Sequence, residues 1–241
     1  MFNKNNILNL LNKARTPNKI DIIAGFFVKR KKLFTLLAGA AVAFLIILFL
    51  FNLYQKSAQE KYSAILHQAL VEEEKGNIDA AKKGLQEIYA TNFAPSGAKG
   101  LAALRYGGIL LNSGDNDEAL KVYLAIANSN RYDNYLRELS GLLAAKIIVI
   151  KTDAHTDKAA SQEALKQVTK LESRSKIMHF YFSEQKGILE MKIGELDKSY
   201  QTFEKILKDQ NAEQALKLRV ADMIKILVAE GYTPKENVKE K

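Results

Sequence analysis

The chain has 241 residues, a net charge of +9 and no cysteine. The absence of Cys excludes disulfides, thiolate metal sites, cysteine nucleophiles and cysteine lipidation, while the hydrophobic share of 47% is enough to build a core. A pI near 9.4 is compatible with a nucleic-acid partner, an acidic membrane surface or a charge bias that sets membrane topology.

The excess positive charge lies almost wholly at the N-terminus. Residues 1–32 carry a net +7, and residues 33–241 carry a net +2. Because Lys and Glu are interspersed in the longer part, without a basic face that carries aromatic side chains, the sequence disfavours nucleic acid as a partner. Residues 1–32 are predicted to be a basic cytoplasmic segment, and either a short amphipathic helix on anionic lipid or a poorly ordered tail fits them.

An apolar stretch of 19 residues follows, from Leu33 to Phe51, and it contains no charged side chain. A helix of this length spans about 28 Å, close to the thickness of a bilayer core. We therefore predict a transmembrane helix at 33–53. A cleaved signal peptide is the competing interpretation, but the stretch exceeds the roughly 7–15 residues of a typical signal.

The cations that precede the apolar stretch predict its orientation. Lys and Arg clusters stay on the cytoplasmic side of a membrane. The run Lys29, Arg30, Lys31 and Lys32 therefore predicts a cytoplasmic N-terminus and an exported remainder. In a Gram-negative cell this is a single-pass inner-membrane protein with a periplasmic domain.

Three similar turns occur in the exported part, at Gly76, Gly114 and Gly194. Their intervals are 38 and 80 residues, which places a fourth turn near residue 154, where the Gly is missing. The Gly suits the left-handed residue that ends a helix, and the Asn or acidic residues after it suit the cap of the next helix. Each turn Gly has a small residue seven positions before it, a small residue five positions after it and a large residue nine positions after it. In that order these are Ala69, Ala81 and Leu85; Gly107, Ala119 and Tyr123; and Gly187, Ser199 and Phe203.

These turns predict an all-α fold for residues 54–230, made of about four helical hairpins and a capping helix. Sustained alternation of the kind that strands need is absent from the sequence. Residues 231–241 are predicted to be a polar tail. The predicted helices are 57–74 with 78–90, 98–112 with 116–128, 134–150 with 157–171, 177–192 with 196–208, and the cap at 211–230.

The residues give no sign of an active site. His67, His155 and His179 fall in different hairpins or turns, and none has the spacing of metal ligands. No paired carboxylates or nucleophile–base pair stands out. We therefore expect no catalysis, no metal, no cofactor and no small-molecule substrate.

Surface recognition is the remaining class of function. In an array of such hairpins the first helices line a concave groove. Counting back from each turn gives a candidate interaction groove for unfolded or helical segments. The alternative is that the same side chains are ordinary core. The residues are Leu66, Leu70, Leu101, Leu104, Leu111, Tyr181, Ile188 and Met191.

The hairpin pattern resembles the tetratricopeptide repeat, with a longer period than usual. The whole layout resembles the ancillary Sec translocon subunits, which are single-pass inner-membrane proteins with a tetratricopeptide-like periplasmic domain. The resemblance rests on the basic N-terminus, the anchor, the repeats, and the C-terminal residues Glu184-Gln185-Lys186-Gly187, Gly194, Phe203 and Leu218-Arg219.

The resemblance implies association with the Sec translocon, with periplasmic chaperones and with newly exported client proteins, and it implies no catalysis. An envelope or cell-division scaffold that holds a periplasmic partner through the same repeats is the alternative. A hydrolase with an unrecognised site is the third possibility.

Overall fold

The computed structural model describes residues 31–153 and 157–234. Within these ranges the chain forms nine α-helices and no strand. Their bounds are α1 Lys31–Glu74, α2 Ile78–Ala90, α3 Ser96–Asn112, α4 Asn116–Ala127, α5 Asn134–Lys151, α6 Lys158–Arg174, α7 His179–Lys192, α8 Leu196–Lys208 and α9 Gln214–Ala229.

The first helix, α1, is longer than the sequence predicts. We expect a transmembrane helix at 33–53 and a separate helix at 57–74, but one helix continues from Lys31 to Glu74. The physical reason is that Gly39 is the only Gly or Pro within it, so the polar residues after Phe51 change the surface without breaking the backbone.

The apolar part of α1 has the length and composition of a membrane span. Its most apolar window has a mean hydropathy of 2.6. Lys32 is exposed at its start, whereas Lys29, Arg30 and the rest of 1–30 lie outside the described residues. The chain divides into two compact units between Ser57 and Ala58.

Glycine ends four of the helices in the same way. Gly76, Gly114, Gly194 and Gly231 have φ values of +81°, +79°, +81° and +94°. In each case the N–H of the next residue donates to the carbonyl oxygen five positions earlier, at 2.8–3.1 Å. This is the Schellman arrangement, in which a left-handed Gly lets the chain leave the helix with its last carbonyl groups satisfied.

The caps that follow these turns are less uniform than predicted. Asp115 accepts a hydrogen bond from the N–H of Glu118 at 3.3 Å, as an N-cap does. Asn77 instead donates back to the carboxylate of Glu72 at 2.6 Å, and the Glu195 side chain makes no cap bond.

The turn expected near residue 154, between α5 and α6, is made without Gly. The Thr152 hydroxyl donates to the carbonyl of Ile148 at 2.9 Å, and Asp157 accepts from the N–H of Ala159 at 3.1 Å to cap α6. His155 lies outside the described residues.

Small residues allow close contact between the two helices of a hairpin. A β-carbon added at Gly107 would lie 2.6 Å from Cζ of Tyr123, and one added at Gly187 would overlap the Phe203 ring. The Ser199 hydroxyl donates to the Gly187 carbonyl at 2.8 Å, which joins α8 to α7. Helices α3 and α4, and α7 and α8, therefore pack at short distances.

Helix α5 is the most deeply buried of the described helices. It packs against α4, α6 and α7, and α7 in turn packs against α9. Leu142, Ala144, Ala145, Ile147 and Ile148 are all buried along it. The apolar stretch 139–150 therefore lies in a helix that is covered by three neighbouring helices.

The end of the described chain is held more firmly than a frayed tail. The Tyr232 ring lies against that of Tyr200, with centroids 5.3 Å apart, and its hydroxyl donates to Asp197 at 3.1 Å. Residues 235–241 lie outside the described residues.

Candidate functional site

The residues of the predicted groove lie at the borders of the hydrophobic cores. Leu66 and Leu70 are on α1, Leu101, Leu104 and Leu111 on α3, and Tyr181, Ile188 and Met191 on α7. Leu101 is 54% exposed, and the other seven are half-buried. That these side chains line one open groove stays a prediction.

Tyr181 is tied to the last helix. Its hydroxyl donates to the Glu213 carboxylate at 2.6 Å, and this hydrogen bond raises the pKa of Tyr181. The Arg219 guanidinium lies 5.9 Å from the Tyr181 ring centroid and donates to Glu184 at 2.8 and 3.0 Å. Because Glu184 is buried, this bidentate pair fixes α9 on α7.

Glu138, on α5, is a buried carboxylate that sequence reasoning does not find. Its Oε2 accepts from the Ser175 hydroxyl at 2.6 Å and from the N–H groups of Ile177 and Met178, both at 2.9 Å. Its Oε1 accepts from the Lys176 N–H at 3.0 Å. Glu138 therefore satisfies the backbone just before α7, as a cap supplied by another helix.

The environment of Glu138 favours its charged form. Burial by itself raises the pKa of this carboxyl, but the hydrogen bonds from Ser175 and from three backbone N–H groups outweigh it and lower the pKa. The only signal in the sequence is that Glu138 is the one acidic residue of α5, and its partners lie about forty positions later.

Glu190, on α7, is a second buried carboxylate with the opposite tendency. It is 3% exposed and accepts from the Thr202 hydroxyl at 2.7 Å. Burial raises the pKa of Glu190, although this hydrogen bond and the charge of Lys186 act against the rise. One hydroxyl donor is too little to offset the burial of a carboxylate.

Lys192 links the end of α7 to the end of α5. Its ammonium donates to the carbonyl oxygens of Val149 and Thr152, both at 2.8 Å. These are carbonyls at a helix C-terminus, where a cation is favoured. The interaction joins two hairpins at the connection that lacks Gly.

A cleft of about 460 Å³ opens beside Glu138, where α5 meets the end of α6. Its floor is apolar, and three cations stand around it. Arg174 donates to the Asn128 side chain at 3.0 Å. The cleft is lined by Ala127, Asn134, Arg137, Glu138, Gly141, Leu171, Ser173, Arg174, Ser175, Lys176 and Phe182.

Metal ligands do not cluster in the described part of the chain, where no group of three or more His, Asp or Glu side chains converges. His67 and His179 are exposed on different helices.

Comparisons of the chain with family models, with curated proteins and with solved structures gave no match.

Proposed function

We propose that this chain is a single-pass membrane protein whose hairpins form a tetratricopeptide-like interaction module. The repeated turn carries the proposal: Gly76, Gly114 and Gly194 end helices with the same backbone geometry and the same hydrogen bond. The packing of α5 on α7, and of α7 on α9, supports it because first helices of neighbouring hairpins stack this way in a solenoid.

The N-terminal apolar helix supplies the anchor. In this proposal the cations Lys29, Arg30, Lys31 and Lys32 stay in the cytoplasm, and the hairpins stand on the other side, in the periplasm. Anionic lipid is the only acidic partner that the charge distribution requires, since residues 33–241 carry only +2.

The partners in this proposal are proteins of the export machinery. The resemblance to ancillary Sec translocon subunits indicates translocon subunits, chaperones or newly exported clients. Exposed and half-buried apolar side chains such as Leu101 and Leu104 provide surface for them. No substrate, metal or cofactor is needed.

Photo-crosslinking in living cells tests the proposed partners. A photoreactive residue placed at Leu101 should capture translocon subunits or exported proteins. The same residue at the exposed Lys166, on α6, is the matched control and should capture neither. Equal products from both positions, or none from Leu101, would contradict the proposal.

Cell imaging separates this function from the alternative. An export component should be distributed around the inner membrane. Accumulation at the division septum, together with crosslinks to division proteins, would favour the envelope scaffold. A reporter fused after residue 60 tests the orientation, and cytoplasmic activity there would overturn the localisation.

A further inference from the structure

The cleft beside Glu138 combines an apolar floor with a positively charged rim. Gly141, Leu171 and Phe182 contribute to the floor. Arg137, Arg174 and Lys176 lie around it. A cavity of about 460 Å³ falls within the range of small-ligand sites.

The carboxylate in the wall of this cleft makes no ion pair with these cations within the residues that the structure describes. Glu138 already accepts four hydrogen bonds from Ser175 and the following backbone. In the described ranges 31–153 and 157–234, neither Arg137 nor Lys176 has a carboxylate partner for its side chain.

Arg137 stands out among the three cations. Its Nε is buried and has no acceptor within the part of the chain that the structure describes. The side chain as a whole is half-buried and lines the cleft, so a group that enters there comes within reach of the guanidinium. A buried donor that lacks an acceptor is rare in folded proteins. Because Nε is closed to solvent, an anion in the cleft would pair with the terminal nitrogens of the guanidinium, which are not among the buried unpaired atoms of the described residues.

We propose that this cleft binds a carboxylate of a protein segment, either its C-terminus or an acidic side chain. A guanidinium pairs with a carboxylate through two parallel hydrogen bonds, and the apolar floor accommodates the side chain next to that carboxylate. The proposal rests on the proposed function in one respect, since the ligand is a protein.

Binding of short peptides tests the site on the full chain in phosphatidylcholine nanodiscs. Three peptides carry an uncharged dye at the N-terminus: Gly-Ala-Leu with a free carboxylate, Gly-Ala-Leu amide, and Gly-Ala-Glu-Leu amide. Fluorescence anisotropy should give binding of the first or the third, about tenfold tighter than that of Gly-Ala-Leu amide. Which of the two binds distinguishes a C-terminus from an acidic side chain.

Substitutions of single cations test whether the peptides bind in this cleft. Arg137→Gln should weaken it about tenfold, whereas Lys170→Gln, on the exposed side of α6, should leave it unchanged. Circular dichroism checks that each variant is folded. Lys176→Gln replaces Arg137→Gln if the latter does not fold, and it should weaken binding about threefold.

Several outcomes would overturn the proposal. These are affinities of both carboxylate-bearing peptides no tighter than that of Gly-Ala-Leu amide, no binding of any peptide up to about 1 mM, and no effect of Arg137→Gln or Lys176→Gln on binding. Displacement of the peptide by equimolar inorganic phosphate would reassign the cleft to phosphate. If no peptide binds but crosslinking from Leu101 succeeds, only the carboxylate site is disproved. If peptides bind but crosslinking from Leu101 captures no export component, the site remains and its protein partner lies outside the export machinery.

Discussion

Single glycine residues set the closest approach between helices. In α3, an added β-carbon at Gly107 would lie 2.6 Å from Cζ of Tyr123, whereas one at Gly108 would lie 4.0 Å from the Tyr123 hydroxyl oxygen. Two adjacent positions thus share a helix and a neighbouring ring but differ in the space available. The difference makes each a control for the other.

We expect Gly107→Ala to lower the free energy of unfolding by about 1–3 kcal/mol, because Tyr123 must move. Gly108→Ala should raise it by up to about 1 kcal/mol, because Ala favours a helix and fits this space. Thermal and denaturant unfolding of the full chain in detergent measures both. A stabilising Gly107→Ala would mean that the ring contact is not tight.

The buried carboxylate of Glu138 should make stability depend on pH in one direction. Its pKa is lowered in the folded protein, so its contribution is complete above the unfolded-state pKa of about 4.3 and is lost as the pH falls through the folded-state pKa. Glu138→Gln should therefore destabilise the protein by about 2–3 kcal/mol at pH 7, and by less in acid. A loss that is the same at pH 7 and in acid would contradict this assignment.

Glu190 should make the stability of the protein depend on pH in the opposite direction. Its pKa is raised by burial, so the folded state loses stability as the pH rises from about 4.3 through the folded-state pKa. Glu190→Gln keeps an acceptor for Thr202 and should stabilise the protein more at pH 7 than at pH 4. Glu163→Gln, at an exposed position on α6, is the control and should give no such difference.

At the scale of helices and turns, the sequence predicts most boundaries to within a few residues. The reason is local: a Gly such as Gly114 ends one helix, and Asp115 caps the next. The break predicted between residues 53 and 57 is wrong because the polarity changes there without a helix-breaking residue. Glu138 could not be assigned from the sequence, since its role depends on a loop that only folding brings near.

The attachment of α9 to α7 depends on a buried ion pair. Arg219→Gln would leave the buried carboxylate of Glu184 without its cation, and we expect a loss of about 1–3 kcal/mol, reduced because the arginine is half exposed. Amide hydrogen exchange should quicken in α9 before the other helices. Lys225→Gln, which removes an exposed pair with Asp222 on the same helix, should leave exchange unchanged.

A double-mutant cycle separates the pair from its surroundings. With Glu184→Gln present, the loss caused by Arg219→Gln should shrink, because no buried charge is left unpaired. If the two effects simply add, the pair is not what holds α9 in place.

For the molecule as a whole, the distribution of charge carries more information than its sum. A net +7 lies in residues 1–32, before the apolar part of α1, and only +2 follows it. A basic protein that seeks an acidic macromolecule would instead carry its charge on the folded surface. In the proposed function, the high pI reflects membrane topology and not an acidic macromolecular partner.

This explanation predicts that placing the cations on the other side of the span inverts the orientation of the protein in the membrane. With Lys29, Arg30, Lys31 and Lys32 replaced by Gln and four Lys inserted after Tyr54, the segment after the span should be retained in the cytoplasm in a large share of molecules. A reporter fused after residue 60 that is active only outside the cytoplasm should lose activity. Inserting four Gln at the same place, with the N-terminal cations intact, controls for the added length. An unchanged reporter signal in the Lys variant would mean that these charges do not set the orientation.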